Sequence, residues 1–148
     1  MKIQTKRFGS IEIEEENIIE FPYGILGFPE YKKYVILADR DNSPFFWMQA
    51  INNGEFALVV TNPLWFYPEY RVKVHKTELE DIKLENLHKG EVWTLVTVRN
   101  NPFVVSINLK GPILINKELG LAKQLVINSD DYPLRYEIIN HENQGATA

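Results

Sequence analysis

Apolar and polar residues alternate in short bursts along most of the chain, with turn residues between the bursts. Ile11 and Ile13 alternate with Glu12 and Glu14, the period of a half-buried strand. KYVILAD (33–39) is a short apolar run that ends in polar residues. FFWMQAI (45–51) and FALVVT (56–61) flank Asn53-Gly54, the dipeptide favoured in type I′ hairpin turns. In YRVKVH (70–75), Tyr70, Val72 and Val74 face one way and Arg71, Lys73 and His75 the other. EVWTLVTV (91–98) and FVVSINL (103–109) flank the turn signal Asn100-Asn101-Pro102. PILIN (112–116), KQLVIN (123–128) and LRYEI (134–138) follow. Helical signal is scarce. Thr77 and Glu80 have capping-box spacing, and Leu79 and Ile82 follow at helical spacing, which predicts one short helix over 78–85. KELGL (117–121) reads as a single turn. The pattern predicts an all-β fold, an antiparallel β-barrel-like structure or compact sandwich of many short strands with one short helix. It also predicts a single domain over 1–140 and a flexible tail over 141–148.

Composition narrows the function classes. The chain has 148 residues, 45% hydrophobic and 24% charged, a globular balance with enough length for a core. No apolar run approaches the roughly 20 residues that a bilayer requires. The first residues contain no apolar stretch of the signal-peptide type. There is no cysteine, which removes disulfides, thiol catalysis and cysteine-ligated metals and fits a reducing compartment. The net charge of −4 argues against a general nucleic-acid binder and leaves room for a basic protein partner.

Catalytic patterns are missing. His75, His88 and His141 form no HxxH or HxxxH pair, and none of the four serines sits in a GxSxG elbow. There is no GxxxxGK[ST] or GxGxxG loop. The expectation is a protein that is not an enzyme and needs no cofactor or metal.

Two features point to binding. Glu14, Glu15, Glu16 and Glu20 follow Glu12 in a dense acidic run, which serves either solubility or a partner. In NPLWFYPEY (62–70), Pro63 and Pro68 limit sheet pairing, so Trp65, Phe66 and Tyr67 cannot all be strand residues. A hydrophobic plug suits Trp65 better, and an exposed interface anchor suits Phe66 and Tyr67 better. The basic face of Arg71, Lys73 and His75 keeps open a second reading, a small barrel that binds RNA directly.

FPYGILGFPEYKKY (21–34) has glycines but lacks the lysine and hydroxyl of a phosphate loop. Gly24 and Gly27 fit tight turns, with Phe21, Ile25, Leu26 and Phe28 packed inward.

The same stretch opens a series of motifs that resembles the FliW family of flagellar assembly factors. FPYGILGFPEY (21–31) is followed by ALVVTNP (57–63), PEY (68–70), NLKGPILIN (108–116) and KQLVINSDDYPLRYEI (123–138). Within these motifs Gly24, Gly27, Phe28, Asn108, Pro112 and Tyr132 read as architectural. The resemblance implies a cytoplasmic, non-enzymatic β-barrel protein, and a monomer is the expected state. It implies two protein partners, flagellin and the RNA-binding translational repressor CsrA, without direct nucleic-acid or membrane binding. It also implies a partner switch, in which the protein freed of flagellin binds CsrA and relieves repression of flagellin translation. Glu14, Glu15, Glu16, Glu20, Phe66 and Tyr67 are the candidate contacts.

Overall fold

The computed structural model describes residues 1–140. The tail 141–148 and His141 lie outside the described residues. The strands are β1 (Lys2–Thr5), β2 (Gly9–Glu12), β3 (Ile19–Glu20), β4 (Lys33–Ala38), β5 (Phe45–Ala50) and β6 (Ala57–Thr61). They continue with β7 (Glu91–Arg99), β8 (Val104–Ile107), β9 (Ile113–Asn116), β10 (Leu121–Gln124) and β11 (Tyr136–Asn140). The helix α1 spans Lys76–Asp81.

Seven strands close a barrel in the order β7-β6-β5-β4-β3-β10-β9, and β9 returns to β7. The nine-residue β7 makes closure possible because its two ends serve different neighbours. Glu91–Trp93 pairs with β9, whereas Val96–Arg99 pairs with β8, which carries β11 outward as a flange. β1 and β2 form a separate antiparallel hairpin.

Strand alternation fills the barrel. Tyr34, Ile36, Phe46, Met48, Val60, Trp93, Leu95, Ile113 and Ile115 all pack into one cluster. Their positions are cross-strand neighbours in register, as in Ile36↔Met48, Phe46↔Val60 and Trp93↔Ile113. Three smaller clusters cover the outside. Ile3 and Ile13 of the hairpin region lie on Val35. Ile82 and Leu84 cover Leu114 and Leu125. Tyr70 packs with Ile107 and Leu109. The buried Tyr70 hydroxyl donates to the Leu109 carbonyl at 2.6 Å, a contact worth about 1 kcal/mol net.

Local chemistry revises several expectations. The segment 70–75 does alternate, with Tyr70 buried, Val72 and Val74 half-buried and Arg71, Lys73 and His75 exposed. It nevertheless joins no strand ladder and packs as an extended cover. The helix runs Lys76–Asp81 rather than 78–85, and its N-cap is His75 rather than Thr77, without a side-chain capping bond. Its other end stops where the Asn116 side chain donates to the Ile82 and Lys83 carbonyls at 2.9 and 3.2 Å. The last two strands are shifted, β10 to Leu121–Gln124 rather than 123–128 and β11 to Tyr136–Asn140 rather than 134–138.

The turn at Asn53-Gly54 is present but is not type I′, which needs positive φ at both residues; neither has it. The Asn53 side chain accepts from the Glu55 N–H, and its carbonyl accepts from the Phe56 N–H. A Cβ on Gly54 would stand 2.0 Å from the Gln4 carbonyl oxygen, so the N-terminal hairpin dictates the glycine.

The loop between β3 and β4 caps the barrel end formed by Ala50 and Phe56. Phe21 and Ile25 are buried there, and Phe28 and Tyr31 lie against the Phe56 ring at 4.7 and 4.6 Å. Leu26 was expected inward but is 70% exposed. The turn that buries Ile25 and bridges it to Phe28 points Leu26 outward, and its N–H is held by the Gln124 side chain at 3.0 Å.

Gly24 and Gly27 both have positive φ, +72° and +89°, but a Cβ at Gly24 would also lie 3.3 Å from the Pro29 Cα. Gly24→Val should therefore lower stability by about 2–4 kcal/mol and Gly27→Val by about 1–2 kcal/mol. Urea denaturation with unchanged m-values measures the difference. A second expectation concerns alkaline pH. Burial, aided by the charge of Glu30, pushes the Tyr34 phenol up to about 12. An unfolded tyrosine ionises near 10, so this group's stabilising contribution is complete below pH 10. It is lost as pH rises towards about 12. Between these values Tyr34→Phe should show a shallower fall of the urea midpoint than the unmodified chain.

Candidate partner-binding site

The acidic run leaves the N-terminal hairpin at Glu12 and reaches the barrel at Glu20. Between them Glu15–Asn17 forms one 3-10 turn, stabilised by Asn17 N–H to Glu14 C=O and Ile18 N–H to Glu15 C=O. This turn anchors no core residue, and Glu14, Glu15 and Glu16 are exposed. Glu20 differs: it is half-buried, and its N–H donates to the Gly120 carbonyl at 2.8 Å within the barrel seam. Glu12 accepts from the Met1 amino group at 2.9 Å. That amine is held above its ordinary range, first by this hydrogen bond and further by the charges of Glu12, Glu14 and Glu15. Glu14 and Glu16 take part in no ion pair with any described residue.

Beside this segment a groove of about 600 Å³ opens at one mouth of the barrel. Its apolar lining includes Ile36, Ala38, Phe46, Trp65 and Trp93, and Glu14, Glu16 and Glu91 stand on its rim. Glu91 is partly offset by Lys117 at 3.7 Å. Glu15 and Glu20 lie on the other side of the segment, in a second depression with Lys32 and Lys33. The four glutamates therefore divide into two pairs on opposite flanks rather than forming one patch.

The aromatic stretch is arranged opposite to expectation. Asn62 caps a 3-10 turn over Pro63–Trp65 by accepting from the Leu64 N–H at 2.9 Å. The turn leaves Trp65 53% exposed at the groove, although it was the favoured plug. Phe66 and Tyr67, the expected anchors, are half-buried. Phe66 stacks on Phe45 at 6.0 Å, and Tyr67 meets Tyr70, Tyr132 and Tyr136 edge-on at 6.3, 5.7 and 5.1 Å. Only period-2 and period-3.6 patterns announce facing in a sequence, and a single capped turn has neither.

The motif residues sit in packing and turns. Asn108 Oδ1 accepts from the Lys110 and Gly111 N–H groups at 3.0 and 2.9 Å, which turns the chain from the flange into β9. Pro112 is buried, and its carbonyl accepts from the Leu125 N–H at 2.8 Å. The Tyr132 hydroxyl accepts from the Arg71 N–H at 3.0 Å. Among the described residues, no group of three or more His, Asp or Glu is placed to hold a metal, and no helix is long and apolar enough to cross a membrane.

Fold and site together define a small closed β-barrel protein whose accessible apolar groove lies at one mouth under an acidic rim. The family model described as FliW protein matches residues 2–138. A flagellar assembly factor FliW of Alkaliphilus metalliredigens (strain QYMF) is 39% identical over 140 residues, covering 94% of this chain and 86% of that protein. One from Syntrophus aciditrophicus (strain SB) is 38% identical over 141 residues, covering 95% and 89%. A crystal structure of the flagellar assembly factor FliW superposes with a TM-score of 0.84 at 31% identity, covering 94% of this chain and 97% of that one. The chain belongs to the FliW family of flagellar assembly factors.

The two kinds of aromatic can be separated by mutation. Tyr67→Ala should cost about 3–4 kcal/mol because it opens a cavity among three tyrosines. Trp65→Ala should stay within about 1 kcal/mol, since half of the side chain is already in water. Thermal and urea unfolding of both variants measure this.

Proposed function

We propose that this flagellar assembly factor works as a partner switch in the cytoplasm, as a monomer and without catalysis. It holds flagellin while flagellin accumulates. Once flagellin is exported, the free protein binds the repressor CsrA and relieves repression of flagellin translation. The family membership supplies the framework for this reading. The observation that carries it is the pair Glu14 and Glu16, exposed and without ion pairs among the described residues, beside an apolar groove. A protein that grips RNA phosphates must present positive charge, and such a field accelerates its encounter with an acidic partner. Bound there, the acidic segment would also repel RNA from the complex.

The basic strip Arg71, Lys73 and His75 is exposed and supports the rival reading of direct RNA binding. Three side chains in a chain of net charge −4 make a weak electrostatic footprint.

A competition pull-down tests the switch. CsrA captured on the immobilised protein should be released as flagellin is added, and retention of both partners at saturation defeats mutual exclusion. The electrostatic part has its own measurement. Changing Glu14, Glu15, Glu16 and Glu20 to Gln should slow CsrA association by roughly tenfold at low salt and flatten its salt dependence. Unchanged rates would remove the acidic run from the interface.

A further inference from the structure

β4 is a six-residue strand with a two-residue neighbour. On one side β5 pairs with it from Tyr34 to Ala38. On the other side β3 covers only Lys33 and Tyr34. The direction of the remaining backbone groups follows from two hydrogen bonds. The Lys33 carbonyl accepts from the Ile51 N–H at 2.9 Å, on the β5 side, while the Lys32 carbonyl accepts from the Phe21 N–H at 2.7 Å, on the β3 side. Strand alternation then aims the N–H and C=O of Ile36 and Ala38 towards the β3 side. The chain that would continue β3 over them is the 3-10 turn Glu15–Asn17, whose backbone bonds run from Asn17 N–H to Glu14 C=O and from Ile18 N–H to Glu15 C=O rather than to β4. Ile36 and Ala38 line the apolar groove, and these four backbone groups have no strand partner among the described residues. Ile36 is half-buried and Ala38 exposed, and a partner strand would satisfy their backbone groups.

We propose that the groove receives an extended, lysine- or arginine-bearing segment of a partner protein, which adds as a strand to the free edge of β4 at Ile36 and Ala38. The shape follows from the edge, which accepts a backbone in strand geometry. The composition follows from the lining. Alternate side chains of an added strand enter the barrel mouth beside Phe46, Trp65 and Trp93 and must be apolar. The opposite set meets the rim, where Glu14 and Glu16 form no ion pair with any described residue and Lys117 is engaged by Glu91, and is favoured when cationic. The inference stands on the geometry of this edge and holds whichever protein carries the segment. It therefore goes beyond the switch reading and can fail or succeed separately from it.

The test uses the full 15N-labelled chain and the peptide acetyl-KVKVKVK-amide. This probe should shift the Ile36 and Ala38 amide resonances and slow their hydrogen exchange. Glutamate in place of lysine should abolish binding. Methylating alternate peptide nitrogens on the β4-facing edge should weaken binding by about tenfold through lost backbone bonds. Ala38→Pro removes an N–H that points into the groove and leaves the β5 ladder intact. It should keep the melting temperature and bind the lysine peptide at least about tenfold more weakly. Four outcomes each overturn the proposal: no binding at millimolar peptide, shifts centred away from β4, indifference to N-methylation, or full binding by a folded Ala38→Pro variant.

Discussion

The barrel depends on a seam of two residues. β3 must bond to β4 on one side and to β10 on the other, and it does so with Ile19 and Glu20 alone. Its contact with β10 is a single parallel pair, Leu121↔Glu20, reinforced by the Glu20 N–H to Gly120 C=O bond at 2.8 Å. Gly120 is required there. Its φ is +67°, and a Cβ would stand 2.6 Å from the Ile18 carbonyl oxygen. With the chain drawn this close at Ile18, the preceding residues leave the strand path and coil as a 3-10 turn. The turn uncovers the outer half of β4, and the groove at the barrel mouth is the space that remains. One constraint thus closes the core and creates the accessible site.

Energetically the seam is short but not isolated. Phe21, immediately after β3, is fully buried and meets the Tyr34 ring edge-on at 5.4 Å. The burial of such a side chain is worth about 2–3 kcal/mol, more than a single backbone pair. The strand is therefore held mainly by the apolar residues that follow it. This is why the turn glycines of 21–31 matter to the fold although their loop lies at the opposite end of the barrel from the groove.

Sequence periodicity made the barrel strands legible because each has one face in the core. Tyr34, Ile36, Met48, Val60 and Ile113 recur with period 2 and need no partner information to be recognised. Three features escaped that signal. The 70–75 segment alternates because it covers Ile107 and Leu109, and burial without pairing produces the same pattern as burial within a ladder. β3 is too short to have a period. The exposure of Trp65 and Leu26 is set by single turns, whose orientation depends on where Asn62 and Gln124 place their side chains. The family motifs, by contrast, were readable as a series because they hold the turns at Gly24, Asn108 and Pro112. Those residues report the fold faithfully and say little about contacts. The candidate site was half legible: the density of glutamates was plain, but their division between two flanks of one segment follows from the 3-10 turn.

That division bears on how two partners could exclude one another. Trp65, Glu14 and Glu16 lie at one mouth, while Tyr23 and Leu26, 62% and 70% exposed, stand at the other end beside Lys123 and Gln124. A packed barrel deforms little, so partners at opposite ends can compete only through an element with two arrangements or through the partners' own bulk. Partners that share the groove compete directly, because one edge of β4 accepts one strand. β3 touches both ends of the molecule, through Phe21 towards the Gly24 loop and through Ile18 towards the groove. Its strand pairing spans two residues, fewer than any other strand of the barrel wall, while the burial of Phe21 opposes its rearrangement. It offers one physical route by which the two ends would be coupled.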